Sequence, residues 1–162
     1  MRKIKLLVLL AIGLSVSSSC TKKLLSNPYS NSAVINHEAQ GLVTLRGVSD
    51  EFPNNSKDEG HAVALKNAQQ KALEQLFYMG FPGTDFKNPM IRKGKSVETE
   101  NKAFFDKFWK GDYKQFITSS NSTFYTCADN KKCVSAVVEF KLNYNALRTE
   151  LERNKVLNKI GF

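Results

Sequence analysis

Apolar and polar positions follow two different periods along this chain, and each change of period marks a change of element. From Gly41 the run Leu42 to Val48 (Leu-Val-Thr-Leu-Arg-Gly-Val) is short and β-prone, with Val43 and Leu45 on one side. It predicts a first strand, broken by Phe52, Pro53, Asn54 and Asn55. The period then lengthens: Leu65, Ala68, Ala72, Leu76 and Met79 recur at three- and four-residue steps, which predicts a helix over 57–79. Ser56-Lys57-Asp58-Glu59 fits a capping box at its start, and Gly80 with Pro82 behind it stops it. The small Ala68 and Ala72 allow this helix to approach a sheet closely.

Residues 81–99 contain Pro82, Gly83, Pro89 and Gly94 and predict an irregular loop. Ala103, Phe104, Phe105, Phe108 and Trp109 then suit a short helix pressed on the core and ended by Gly111. Beyond it, Val134, Ala136, Val138, Phe140 and Leu142 alternate with Ser135, Val137, Glu139 and Lys141, the pattern of a half-buried strand. Residues 114–127 also read as a strand. If Cys127 and Cys133 face each other across a hairpin, Phe124 falls opposite Ala136, Thr118 opposite Leu142 and Phe116 opposite Tyr144, all on the apolar face. Tyr125 then faces Ser135, Thr123 faces Val137 and Asn121 faces Glu139 on the other. A slip of one residue would destroy both sortings. A final helix, capped by Asn145, places Leu147 and Leu151 on one side, with Val156, Leu157, Ile160 and Phe162 tucking the terminus back. Arg148, Glu150, Glu152 and Arg153 read as its solvated face. The predicted class is therefore α+β: an antiparallel sheet of three or more strands, one long helix on a face, and a C-terminal helix.

The first twenty residues follow a different logic. Arg2, Lys3 and Lys5 precede an apolar run from Leu6 to Val16, and Ser17, Ser18 and Ser19 lead into Cys20. Charge, apolar core and small-residue cleavage site are the parts of a secretory signal, and the run is shorter than the roughly 20 residues a spanning helix needs. The segment resembles the lipobox of bacterial lipoproteins, in which the chain is cut before a lipid-bearing cysteine; Ser17 stands where lipoboxes usually have Leu. The resemblance implies lipid attachment at Cys20, and it implies anchoring by several acyl chains, each buried CH₂ contributing about 0.8 kcal/mol. Thr21, in place of an Asp, points within the enterobacterial sorting rule to the outer membrane of the cell envelope. On this reading residues 1–19 are a signal peptide, 20–36 a lipidated N-terminus and flexible tether rich in Ser, Asn and Lys, and 37–162 a single domain.

Charge changes the picture little. Of 24 Lys and Arg, the three in the signal leave 21 against 15 acids from residue 20 on, a net +6. In an exported protein that balance reads first as an ordinary Lys-rich surface; the membrane, an anionic envelope polymer or another envelope protein is the expected partner, and nucleic acid is not.

Candidate chemistry is sparse. Cys127 and Cys133 in an exported chain predict a disulfide, since opposed hairpin residues lie about 4.5–5.5 Å apart at Cα. A zinc site would need two more ligands, and His37 and His61 lack ligand spacing, so neither metal nor cofactor is expected. His61, near Asp58 and Glu59, has no nucleophile beside it and stays unassigned. No phosphate loop, nucleophile elbow or His-Glu-x-x-His motif occurs. Phe105, Trp109 and Tyr113 are the possible ligand contacts if the 104–113 aromatics serve a small envelope enzyme or a carbohydrate-binding protein. At helical spacing they read first as core.

The order of Leu42 to Val48, the Ala64-Ala68-Ala72 helix and the 134–151 strand-helix run resembles a small β-α-β-β module. Such modules occur in envelope lipoproteins and in the N-terminal domain of the flagellar assembly protein FlgT. That resemblance implies a noncatalytic binding or scaffolding module.

Overall fold

The computed structural model describes residues 26–38, 40–54, 56–127 and 132–158. In chain order its elements are strands β1 (Ala33–Glu38), β2 (Leu42–Val48) and β3 (Phe52–Pro53), then helices α1 (Lys57–Tyr78), α2 (Ser96–Glu100) and α3 (Lys102–Lys110). A 3-10 turn over Asp112–Phe116 leads to strands β4 (Ile117–Thr126) and β5 (Cys133–Asn143) and helix α4 (Tyr144–Arg153). The fold is α+β, as the pattern predicts. Cys20, Ile160 and Phe162 lie outside the described residues. Among those described, no helix is long and apolar enough to cross a membrane.

The sheet is antiparallel and centred on β5. On one side β5 pairs with β2, from Leu42 opposite Asn143 to Val48 opposite Val137, and then with β3, Phe52 opposite Val134. On its other side lies β4, and β1 lies outside β2. Between β2 and β3 the ladder is carried by Ser49. Its N–H donates to the Ala136 carbonyl (2.9 Å), and its Oγ accepts the Ala136 N–H (2.8 Å). Ser49 is buried, and these bonds meet the requirement that buried polar groups find partners.

The central position of β5 explains why it is more than half-buried. Val134, Ala136, Val138, Phe140 and Leu142 form one face, as predicted, but Ser135 and Val137 on the other are buried too, and Glu139 is its one exposed residue. β1 corrects the tether: residues 33–36 belong to the sheet. Their apolar content is low, and pairing with β2 across the turn at Gly41 (φ 75°) recruits them by backbone hydrogen bonds.

The stripe of α1 is turned from the predicted one. Ala64, Ala68 and Ala72 are fully buried with Leu73, Leu76 and Phe77, whereas Leu65 is half-buried and Met79 is 63% exposed. Gly47 gives the reason, because a Cβ there would stand 2.0 Å from the Ala68 carbonyl oxygen. Helix and strand meet backbone to backbone, and that line of contact selects the smallest side chains. Ser56 occupies the N-cap, but its side chain makes no capping bond, so the capping box is not formed. The stop at Gly80 is as expected: with φ 74°, it and Met79 both donate to the Gln75 carbonyl at 2.7 and 3.0 Å.

The hairpin has the predicted register over most of its length. Phe124 faces Ala136, Tyr125 faces Ser135, Thr123 faces Val137 and Asn121 faces Glu139. Cys127 and Cys133 are joined by a disulfide with their Cα atoms 5.5 Å apart. At the far end a bulge at Thr118 places Ile117, not Thr118, opposite Leu142. Phe116 closes the 3-10 turn and Tyr144 opens α4, so these two do not pair. The cap of α4 is Asn143, whose side chain accepts the Ala146 N–H at 3.0 Å, and not Asn145. Leu147 and Leu151 are buried as predicted, and Val156 folds back with its N–H on the Leu151 carbonyl (2.9 Å).

Candidate functional site

The aromatic segment resolves into core. Phe105 is 2% exposed, Phe108 1% and Tyr113 0%. Phe108 sits at the middle, its ring centroid 5.6 Å from Phe77 and 4.9 Å from Trp109. The polar ends of the cluster are bonded internally. Tyr113 donates to Gln69 Oε1 (3.2 Å), while Trp109 Nε1 (3.1 Å) and the Tyr78 hydroxyl (2.6 Å) both donate to Glu98 Oε1. Burial first, then the Glu98 hydrogen bond and the negative charges of Glu98 and Glu74, push the Tyr78 phenol far above its ordinary value. Burial raises Tyr113 as well. Phe105 and Tyr113 therefore cannot serve as an open ligand platform. Trp109 is half-buried, with its indole N–H already engaged.

The two histidines are held apart in different settings. His61 stacks on Phe124, centroids 4.0 Å apart and planes within 6°, tying the first turn of α1 to β4. His37 Nδ1 meets Asp85 Oδ2 at 3.1 Å, and its ring meets Phe86 edge-on at 4.9 Å. Glu51 approaches Cys133 Sγ to 3.7 Å, and its carboxylate and the two sulfurs lie within 4.8 Å of one another. A disulfide offers no thiolate, so this grouping is not a ligand set in the oxidised chain.

Concave surface occurs where periodicity was silent. The loop expected over 81–99 is irregular only as far as 95, because Ser96–Glu100 form α2, and it is strapped to the end of α1: Met90 and Ile91 donate to the Leu76 and Phe77 carbonyls at 3.1 and 2.8 Å. These bonds satisfy two of the carbonyls that a helix end leaves free. Phe81, Phe86 and Ile91 are buried anchors of the same strap, and Val97 of α2 continues them. Between it and α4 lies a cleft of about 430 Å³, floored by Leu76, Phe86 and Val156 and edged by Arg92, Lys93 and Arg148. A smaller cleft of about 340 Å³ lies among α3, the 3-10 turn and α4, with Phe104, Lys107 and Glu150 in its wall.

The predicted site residues thus do not gather. The disulfide, the aromatic core and the histidines are separate features, and the larger cleft uses residues read in the sequence as loop (Arg92, Lys93) or solvated helix face (Arg148). The local signal for it is the apolar-to-basic step Met90-Ile91-Arg92-Lys93 inside a Pro/Gly-rich segment. No family, no curated protein and no solved structure matches the chain.

Proposed function

We propose that this chain is an envelope lipoprotein, anchored through lipid on Cys20, whose folded domain is a noncatalytic binding or scaffolding module. The carrying observation is the order of parts before the fold: Arg2, Lys3 and Lys5, the apolar run to Val16, three serines, then Cys20. The Cys127–Cys133 bond supports it, because disulfides persist in oxidising compartments outside the cytosol. The outer membrane is the favoured location, and an envelope protein or anionic envelope polymer is the favoured partner of the basic domain.

Against an enzyme reading stands the setting of the titratable groups. His61 packs flat on Phe124 and His37 is paired with Asp85 at the surface, neither beside a nucleophile. Mass spectrometry of the N-terminal peptide from the membrane-extracted chain tests the anchor. Acylated Cys20 is expected as the first residue; an unmodified terminus at another position would sink the proposal.

A further inference from the structure

We infer that the cleft between the 85–93 segment and α4 binds an organic anion that carries its carboxylate on an apolar body. This deepens the reading of the domain as a binding module and is independent of the lipid at Cys20.

The floor sets the apolar half of the ligand. Leu76, Phe86 and Val156 lie buried beneath it, and the half-buried Met90, Tyr144 and Leu157 present the apolar surface that a ligand touches. Tyr144 meets Phe86 in an edge-to-face contact at 5.1 Å. The volume of about 430 Å³ lies within the range of about 300–1,000 Å³ usual for small-molecule sites. Water over such a floor is displaced favourably by apolar surface.

The rim sets the charge. Arg92, Lys93 and Arg148 line the cleft against a single carboxylate, Asp85, which His37 already engages. Lys93 reaches Glu100 at 3.5 Å between two exposed groups, an ion pair of little strength. Arg148 gives Nε to Glu152 at 2.9 Å. Arg92 is exposed and has no hydrogen bond or ion pair with any described residue. Of the three cations Arg92 alone has no acid beside it among the described residues, so a neutral apolar ligand would leave its charge to solvent. A carboxylate meets a guanidinium through two parallel hydrogen bonds, a geometry that a lysine cannot supply. The strap arrives preformed: besides its bonds to α1, Phe86 N–H donates to Thr84 Oγ1 at 3.0 Å. Binding therefore requires little ordering of the loop.

The test uses the full chain in zwitterionic phosphatidylcholine nanodiscs and three water-soluble probes: 4-phenylbutyrate, its neutral amide, and acetate. Ligand-observed saturation-transfer titrations should show the carboxylate binding about tenfold more tightly than the amide, a difference of about 1.4 kcal/mol, with acetate weaker than both. Arg92→Gln should bring carboxylate and amide to within about threefold of each other. Lys110→Gln, at an exposed α3 position outside the cleft lining, should leave the difference intact. Equal affinities in the parent chain, no binding of phenylbutyrate, or indifference to Arg92→Gln would overturn the inference. Hydrolysis of the amide is the separate outcome that would overturn the noncatalytic reading, the anion preference then still deciding the cleft.

Discussion

The β4–β5 hairpin and the 81–110 strap contribute comparable stretches to this domain and are held by different physics. The hairpin is specified by alternation and by a cross-link: one face of β5 is Val134, Ala136, Val138, Phe140 and Leu142, and the disulfide lies at the mouth of its turn. The strap has no repeating period before α3. It is held by spaced buried anchors (Phe81, Phe86, Ile91, Val97), by two backbone bonds to the end of α1, and by the aromatic packing of α3 on Phe77. Periodic order distributes the stabilisation along an element, whereas anchored order concentrates it in a few side chains. Losing one anchor should therefore cost more than losing any single link of the hairpin.

The largest expected effect is at Phe108, the ring that joins α3 to Phe77, Tyr113 and Phe116 and packs on its neighbour Trp109. Phe108→Ala should destabilise the domain by about 3–5 kcal/mol, the range for truncating a buried Phe. Urea unfolding followed by Trp109 fluorescence measures it. Because the strap depends on this anchor, native-state hydrogen exchange should quicken first at the amides of Met90 and Ile91. Uniform quickening over the hairpin and strap together would erase the distinction between the two regions.

That distinction also explains what could be read in advance. The register at Phe124 and Ala136 and the stop at Gly80 were legible because period and turn chemistry are local properties. The rotation of the α1 stripe was not. It depends on Gly47, whose missing side chain lets the Ala68 carbonyl approach, and nothing in the helix itself encodes a glycine on a distant strand. β1 was missed because an edge strand recruited by backbone bonds needs no alternation. The bulge at Thr118 was missed because pairing can slip by one residue where the sheet meets the 3-10 turn. The cleft was least legible of all, since its floor and rim come from the end of α1, the strap and α4, and only tertiary packing brings Arg92 and Arg148 to one cleft. The lipid attachment proposed at Cys20, by contrast, rests wholly on local order.

The hairpin gives the intermediate effect. Replacing Cys127 and Cys133 together by Ser should cost about 2 kcal/mol, because the bond closes only a short loop. Comparison of urea midpoints for the parent and double variant checks this. The register should survive the loss, since the alternating faces that set Phe124 opposite Ala136 remain. A collapse of β4–β5 amide protection in the double variant would mean that the cross-link, and not the pattern, holds the pairing.

The smallest effect discriminates between two asparagines two residues apart. Asn143 accepts the Ala146 N–H at the start of α4, while the Asn145 side chain occupies the space beside Gly41, where a Cβ would come within 2.0 Å of its Nδ2. Asn143→Ala removes a side-chain cap and should cost about 1 kcal/mol. Asn145→Ala leaves that cap in place, and as an exposed substitution it should change stability by less than about 0.5 kcal/mol. Thermal unfolding of the two variants side by side reads the difference. The reverse ranking would place the start of α4 two residues later, at the residue that helix-start chemistry alone favours. It would also move Tyr144 out of the first turn from which it reaches Phe86, so the cleft wall and the helix cap are tested by the same pair of substitutions.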